Sequence, residues 1–364
     1  MKKRVLFIGF GLDPERVEAV SKNTFALQQL LTKELNIEAE CLPVSERQSD
    51  ATGLDKQSFL YCLRNRNMII DQISGYITKH NITHVHDVFV LSAASIIFTL
   101  PLKKLHPNVV FIKEVHNAWG FSKHIHSETI IRILFNSRPY SYIIKRDFDV
   151  VITRKVLLAK IEKIIFIPPL IQVFKKRLFK FKNRLSFCYL GHPLVKKGVD
   201  EFLKLFEIIP DEIKDKIVFN FAFSNIGPKK KIEEMIRKSA EENNINIKIE
   251  GIVEPQKFFR KNDVFILPLH DRFGASSTPN TILEAMEAGC LVITTRTEPL
   301  YKLATNNQNA FLLPSSEAKH ILNRIKYILN NPNKINAMTS MAREKVILYC
   351  SREKTIKKLK QIYG

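Results

Sequence analysis

Short apolar, β-rich runs alternate with helix-patterned stretches along the whole of this 364-residue chain, and no other feature restricts its fold as strongly. Residues 5–8, 84–85, 109–115, 150–153 and 164–167 are expected strands of a first half. Residues 186–190, 218–222, 247–250, 264–267 and 291–294 are expected strands of a second. Helical spacing falls between them at 21–35, 200–208, 229–243 and 318–330. A helix between successive strands returns the chain across the sheet, so the alternation predicts an α/β fold of parallel sheets covered by helices on both faces.

The first series ends at Pro168-Pro169, which stops regular structure, and a second begins afresh at Ser186. The junction is therefore expected between 168 and 185, and the chain is long enough for two domains. The N-terminal sequence MKKRVLFIGFGLD places positive charge before an apolar run, as a signal peptide does. That run is only four residues and lacks a small-residue cleavage site, so a first buried strand explains it better. The longest uncharged run, 88–102, is short of the roughly 20 residues of a spanning helix. The five cysteines, at 41, 62, 188, 290 and 350, show no metal-ligand spacing and are odd in number. Reduced thiols and a cytoplasmic setting follow. The net charge of +21 calls for an anionic partner: nucleic acid, a phosphorylated substrate or an acidic membrane surface.

Open parallel sheets bind ligands beyond the carboxyl ends of their strands, so the residues just after each strand carry the chemistry. Residues 265–295, FILPLHDRFGASSTPNTILEAMEAGCLVITT, run from strand through polar loop to a short helix and another strand. Thr278 suits the N-cap, Pro279 the first helical turn and Gly289 the position past the end. Such a helix start presents free N–H groups and a positive dipole end to an anion such as a diphosphate. Glu284, one to two turns in, could accept hydrogen bonds from two ribose hydroxyls; the plainer alternative is a solvated glutamate on an ordinary helix. A second segment, YLGHPLVKKG at 189–198, leads from a strand to Lys197-Gly198, where a lysine can act as a point charge on phosphate. Gly9-Phe10-Gly11 follows the first strand without the third glycine of a dinucleotide fingerprint. His84 and His86 stand two apart on a strand with no third ligand, which disfavours a metal.

The block TPNTILEAMEAGCLVITT resembles the C-terminal signature of family 4 glycosyltransferases, and the other segments follow that family's order. The resemblance implies the GT-B fold, two Rossmann-like domains with a cleft between them. Residues 1–170 would take the acceptor and 171–345 the nucleotide sugar, with a last helix at about 351–364 crossing back to the first. It assigns Glu284 to the ribose and places Ser276 where the family carries a first glutamate by the donor sugar, a departure that implies altered donor contacts. It assigns the helix start, Thr278, Pro279 and Asn280, together with Lys197, to the diphosphate, with Ser277 and Thr281 beside them as donor-binding residues and His192 where an arginine is usual. Gly251, Ile252 and Val253 resemble the turn that meets the nucleobase, followed in family order by Asn262-Asp263-Val264 and Leu267-Pro268. Gly9 and Gly11 would face the donor diphosphate and acceptor, and His116 would sit at the reaction centre. The catalytic set is then His116, Lys197 and Glu284, with no catalytic metal and no cofactor beyond a UDP- or GDP-linked sugar as substrate.

Residues 171–184 hold six Lys or Arg and no acid, and Phe174, Leu178, Phe181 and Leu185 fall on one face of a helix. The pattern suits the anionic inner face of a membrane, with a linker packed on one of the domains as the equal alternative. Apolar runs at 130–135 and 140–144, closed by Lys145-Arg146, form a second such surface. In the resembled family this half often meets lipid-linked acceptors. The implied activity is transfer of a hexosyl-type group to a growing glycan or lipid-linked acceptor with retention of configuration. A nucleotide-sugar epimerase or hydrolase of the same fold is one rival. A basic nucleic-acid-binding protein is the other, although no binding module is readable.

Overall fold

A computed structural model describes residues 2–9, 12, 19–44, 62–89, 94–115, 150–153, 164–174, 184–225, 227–270, 279–296, 300 and 303–363. The chain forms two compact units, Met1–Leu170 with Ser351–Gly364, and Ile171–Cys350. Each is built on a six-stranded, all-parallel sheet among the described residues.

The first unit runs β1 (Arg4–Gly9), α1 (Ala19–Leu35), β2 (Glu38–Pro43), α2 (Arg66–Lys79), β3 (His84–Asp87), α3 (Leu100–Leu105), β4 (Val110–Val115), β5 (Val150–Thr153) and β6 (Ile164–Phe166). A π-helical turn, Ser95–Thr99, leads into α3. The sheet order is β2-β1-β3-β4-β5-β6. Leu6 and Ile8 pack on one face with α2, whereas Val5 and Phe7 pack on the other with Leu27 and Leu31 of α1. Two buried faces on one strand explain why β1 is apolar without alternation.

β3 is longer than its apolar pattern, because His86 and Asp87 are buried in mid-sheet. The Asp87 carboxylate accepts hydrogen bonds from Phe89 N (2.9 Å), Thr99 Oγ1 (2.7 Å) and Lys113 Nζ (2.9 Å). Lys113 also donates to Phe89 O at 2.5 Å. Burial pushes the Lys113 ammonium pKa down and Asp87 opposes it. A buried charge persists only when paired and hydrogen-bonded, as here. β2 escapes the apolar pattern for another reason: it is an edge strand whose Glu38 bonds Lys2 and Arg4, each at 2.6 Å.

The second unit runs β7 (Leu185–Gly191), α4 (Glu201–Ile208), α5 (Asp211–Lys214), β8 (Ile217–Phe223), α6 (Lys229–Glu242), β9 (Ile247–Glu250) and α7 (Pro255–Lys261). It continues through β10 (Val264–Leu267), α8 (Asn280–Ala288), β11 (Leu291–Thr295), β12 (Phe311–Leu313), α9 (Ala318–Asn330) and α10 (Pro332–Tyr349). The sheet order is β12-β11-β10-β7-β8-β9. Phe187, Tyr189, Phe202, Phe219 and Phe221 form an aromatic cluster between α4 and the sheet, with edge-on contacts such as Phe202–Phe221 at 5.0 Å. The buried Asp263 accepts from Ser186 N (3.0 Å) and Ser186 Oγ (2.7 Å), which locks β10 to β7 at their entry ends.

The two described ends of the segment before β7 do not lie in the helix that its apolar stripe predicts. Residues 171–174 are irregular and Leu185 is a buried residue of β7, so both ends of the stripe leave the helix; 175–183 lie outside the described residues. Ile171 packs on the core of the second unit. Phe174 N donates to Glu287 Oε1 (2.8 Å), Arg343 donates to Phe174 O, and Gln256 Nε2 donates to Gln172 O (2.9 Å).

The last helix, α11 (Arg352–Tyr363), belongs to the first unit. Leu359, Ile362 and Tyr363 join the core beneath α1, and Arg352 pairs with Glu34. Tyr363 Oη and His86 Nδ1 hydrogen-bond at 2.6 Å, and the His84 ring stands 5.5 Å from Tyr363. The two histidines are thus packing residues. Tyr363→Phe leaves a buried ring nitrogen without its partner and should cost about 1–3 kcal/mol in denaturant unfolding; a stability equal to wild type would remove this bond from the account.

Candidate functional site

The second sheet changes direction at β7: the chain goes on to β8 on one side, and β10 lies on the other. In open parallel sheets the crevice at such a switch point takes the ligand. Two expected elements flank it, the 192–198 loop after β7 and the start of α8 after β10.

The loop turns through a short 3-10 segment, Val195–Lys197, into Gly198, whose φ of 74° is left-handed. A Cβ there would lie 1.8 Å from the Pro268 carbonyl oxygen just past β10. Glycine is required twice over, for the dihedral and for the approach. His270 N donates to Lys196 O at 3.3 Å, a second tie between the loop and the β10 exit. Neither Lys196 nor Lys197 makes a side-chain hydrogen bond or ion pair among the described residues. Lys197 is half-buried, and burial, then the Lys196 charge, lowers its pKa to about 8. The unfolded lysine holds its proton to about 10.5, so without a bound anion stability rises with pH from about 8 to 10.5. A bound anion reverses that penalty by supplying the missing counter-charge.

His192 stands where the resembled pattern sets an arginine, and it does not supply a positive charge. Burial first, then Lys197 and Lys196, lower its pKa to about 4. The neutral ring hydrogen-bonds Ser224 Oγ through Nδ1 at 2.6 Å, and Tyr189 Oη donates to its backbone carbonyl at 2.7 Å. It is a neutral polar group held rigid beside two lysines.

On the far side, α8 begins at Asn280, with Pro279 in the N-cap position instead of the first turn. Thr278 lies outside the described residues, as do Ser276, Ser277, Gly11 and His116. Asn280 and Thr281 form the opening turn, whose N–H groups have no intrahelical partner. The helix ends at Gly289 with φ 85°, and Cys290 N returns to Ala285 O at 2.9 Å, closing it as expected for C-terminal glycine. Glu284 lies one turn in and is only 5% exposed; a carboxylate so placed is not the solvated glutamate of an ordinary surface helix.

Gly251, Ile252 and Val253 follow β9, two strands from β7 at the sheet edge. A Cβ added at Gly251 would meet nothing within 4 Å and Ile252 is 62% exposed, so the turn is an open ledge, set apart from the lysines. Gly9 belongs to the first unit, where a Cβ would meet Val88 Cγ2 at 2.8 Å; close packing of β1 against the β3 exit suffices to require glycine there. Ser224, the partner of His192, carries no signal in the sequence, because it lies 32 positions away on the exit of β8. Gly198→Ala should destabilise the protein by at least about 1–2 kcal/mol, the cost of a left-handed L-residue alone. An unchanged Tm would contradict the Pro268 contact.

Residues 171–345 match the family model described as Glycosyl transferases group 1. A Methanocaldococcus jannaschii protein described as an uncharacterized glycosyltransferase is 22% identical over 192 residues, 52% of this chain and 47% of that relative. The match therefore spans about half the length of that curated relative. Similar solved structures include Anabaena HepE in complex with UDP-glucose, with a TM-score of 0.71 at 11% identity over 99% of this chain and 98% of that one. The sucrose-phosphate synthase of Thermosynechococcus elongatus gives 0.74 at 14% identity over 100% and 98%. A glycosyltransferase of Rickettsia africae gives 0.71 at 16% identity over the same shares. The α/β fold with two parallel sheets is thus the GT-B fold, and residues 171–345 carry the match to the group 1 glycosyl transferases.

Proposed function

We propose that this protein is a retaining glycosyltransferase of the family 4 type, moving a hexosyl-type group from a nucleoside-diphosphate donor to a glycan or lipid-linked acceptor. The observation that carries the reading is the pair Lys196–Lys197, two amines without counter-ions among the described residues, at the switch-point crevice that the start of α8 also flanks. A diphosphate supplies the two missing negative charges and accepts N–H groups from the helix start. When the bond from sugar to diphosphate breaks, negative charge grows on the leaving oxygens, and a fixed ammonium there lowers the barrier. Glu284 holds the ribose, and the ledge at 251–253 meets the base. Residues 1–170 take the acceptor, where His116 and the glycines at 9 and 11 serve the reaction centre. UDP-glucose, named with HepE, is the first donor to try.

Binding and turnover of UDP- and GDP-sugars, with and without acceptor, test this reading together with two variants. Glu284→Ala should lose about 1–3 kcal/mol of nucleotide affinity, the range for a hydrogen bond to a charged group. Lys197→Ala should lower kcat more than donor affinity, because its charge acts mainly on the transition state. Nucleotide affinity in the wild type should fall as the pH rises through about 8, and this dependence should vanish in Lys197→Ala. Full turnover of Lys197→Ala, or unchanged affinity of Glu284→Ala, removes the assignment. Hydrolysis without acceptor would favour the hydrolase rival.

No helix among the described residues is long and apolar enough to cross a membrane. The peripheral reading rests on the six cations of 171–184. Each is worth about 1 kcal/mol near an anionic leaflet and is screened by salt. Replacing Lys175, Lys176, Arg177 and Lys180 with Gln should abolish sedimentation with anionic vesicles at low salt while sparing nucleotide binding; equal sedimentation of both proteins would exclude this stretch as the anchor.

A further inference from the structure

Two adjacent side chains and a third 70 positions away meet in the second unit beside the lysine loop. Asp200 is the N-cap residue of α4 and Glu201 its first residue, while His270 follows β10. His270 Nε2 lies 2.8 Å from Asp200 Oδ1 and 3.8 Å from Glu201 Oε1, and donor atoms of all three lie within 4.8 Å of one another. A tetrahedral zinc ion with bonds of about 2.0–2.1 Å sets its ligand atoms about 3.4 Å apart, between these two spacings.

The surroundings hold two of the three donors, those of His270 and Glu201, toward a common point. The Ser316 hydroxyl engages His270 Nδ1 at 2.7 Å, which orients the ring so that Nε2 faces the carboxylates. Glu201 is 3% exposed, and its Oε2 accepts the Ala318 N–H at the start of α9 (2.9 Å), leaving Oε1 to face the histidine. Oε1 is also bonded by Lys204 Nζ at 2.7 Å, a side chain 61% exposed that can turn away into solvent. Such outer contacts, one on the free nitrogen of the histidine and one on the carboxylate, are those that fix ligands around a metal.

We propose that Asp200, Glu201 and His270 bind a divalent transition metal of the zinc class, with the remaining position open to solvent. The ion replaces the proton shared between His270 and Asp200, and the two carboxylates balance its charge. Imidazole with carboxylate suits zinc, cobalt or nickel better than calcium or magnesium. The site is a brace and not a reaction centre. Asp200 lies two residues past Gly198, and His270 N bonds Lys196 O, so the ion ties together the lysine loop, the β10 exit and the start of α9.

The test uses the full chain, stripped with a chelator, and reads metal binding directly. Titration with zinc chloride in a calorimeter should show one strong site per chain and a Tm that rises with zinc. Cobalt should give visible d–d bands without the intense near-ultraviolet band of thiolate ligation. His270→Ala and Asp200→Asn should each weaken zinc binding at least tenfold while circular dichroism shows them folded. Ser316→Ala should weaken it less, since it only orients the ring. Absence of a strong zinc site, unaltered affinity in His270→Ala, or a thiolate band that identifies the cysteines as ligands would each overturn the proposal and leave His270–Asp200 an ordinary ion pair. None of these outcomes depends on sugar transfer.

Discussion

The contact between Gly198 and the Pro268 carbonyl holds the candidate site in place. Because that oxygen occupies the space of a Cβ, the loop leaving β7 lies directly on the exit of β10. Lys196 and Lys197 are therefore referred to two strands at once, and the strands are referred to each other by the buried Ser186–Asp263 bonds. A flexible lysine on a free loop would keep its charge in water and its ordinary pKa. Here the scaffold holds Lys197 partly out of water, with no acid paired to it among the described residues, at a pKa of about 8. Folding sustains that cost because the sheet and its aromatic layer over-determine the loop.

The first unit solves a different problem, polar side chains within a parallel sheet. Asp87 satisfies its oxygens through a backbone N–H, a hydroxyl and an ammonium, all local to the β3 and β4 exits. His86 takes its partner from the other end of the chain, 277 residues away. The C-terminal helix thus completes the interior of the first unit, and α11 owes its place to Leu359, Ile362 and Tyr363 more than to its lysine-rich outer face. Both networks lie in the layer just below the carboxyl ends of the strands, so they stiffen the edge from which the loops of that unit depart.

Strand positions are legible in the sequence where the apolar pattern is unbroken, as in β1, β5, β7, β10 and β11, and in the edge strand β9, where Ile247 and Ile249 alternate with charged residues; all fall within a residue or so of the pattern. The elements that escape it do so for physical causes. β2 is an edge strand that tolerates glutamates, and β12 is too short to show a period. α10 buries a stripe of Ile335, Met338, Thr339, Ala342 and Val346, in which the small and polar members blur the apolar period. α2 also goes unread, although it buries four isoleucines, Ile69, Ile70, Ile73 and Ile77. Within the site, Gly198 is legible because it follows a strand at the spacing that a tight loop imposes, whereas Lys197 and Glu284 are singled out mainly by the family resemblance. The neutrality of His192 is not readable, since it depends on burial and on Ser224 across the sheet. The Asp200–Glu201–His270 group is equally hidden, because its members are 70 positions apart and only strand order brings them together.

The exchange of arginine for histidine at 192 changes how the crevice can hold an anion. An arginine presents a planar fork that matches two phosphate oxygens in fixed geometry, whereas a lysine is a point charge on a flexible stem. With His192 neutral, the positive charge of this loop rests on two adjacent lysines, and the histidine offers at most a directional hydrogen bond. For the proposed diphosphate, attraction would then be strong but loosely directed, and orientation would pass to the rigid parts: the opening turn of α8, the buried Glu284 and the shape of the loop that Gly198 fixes. On the proposed reading, specificity for the nucleotide is carried by backbone geometry, and the lysines provide attraction and charge at the bond that breaks.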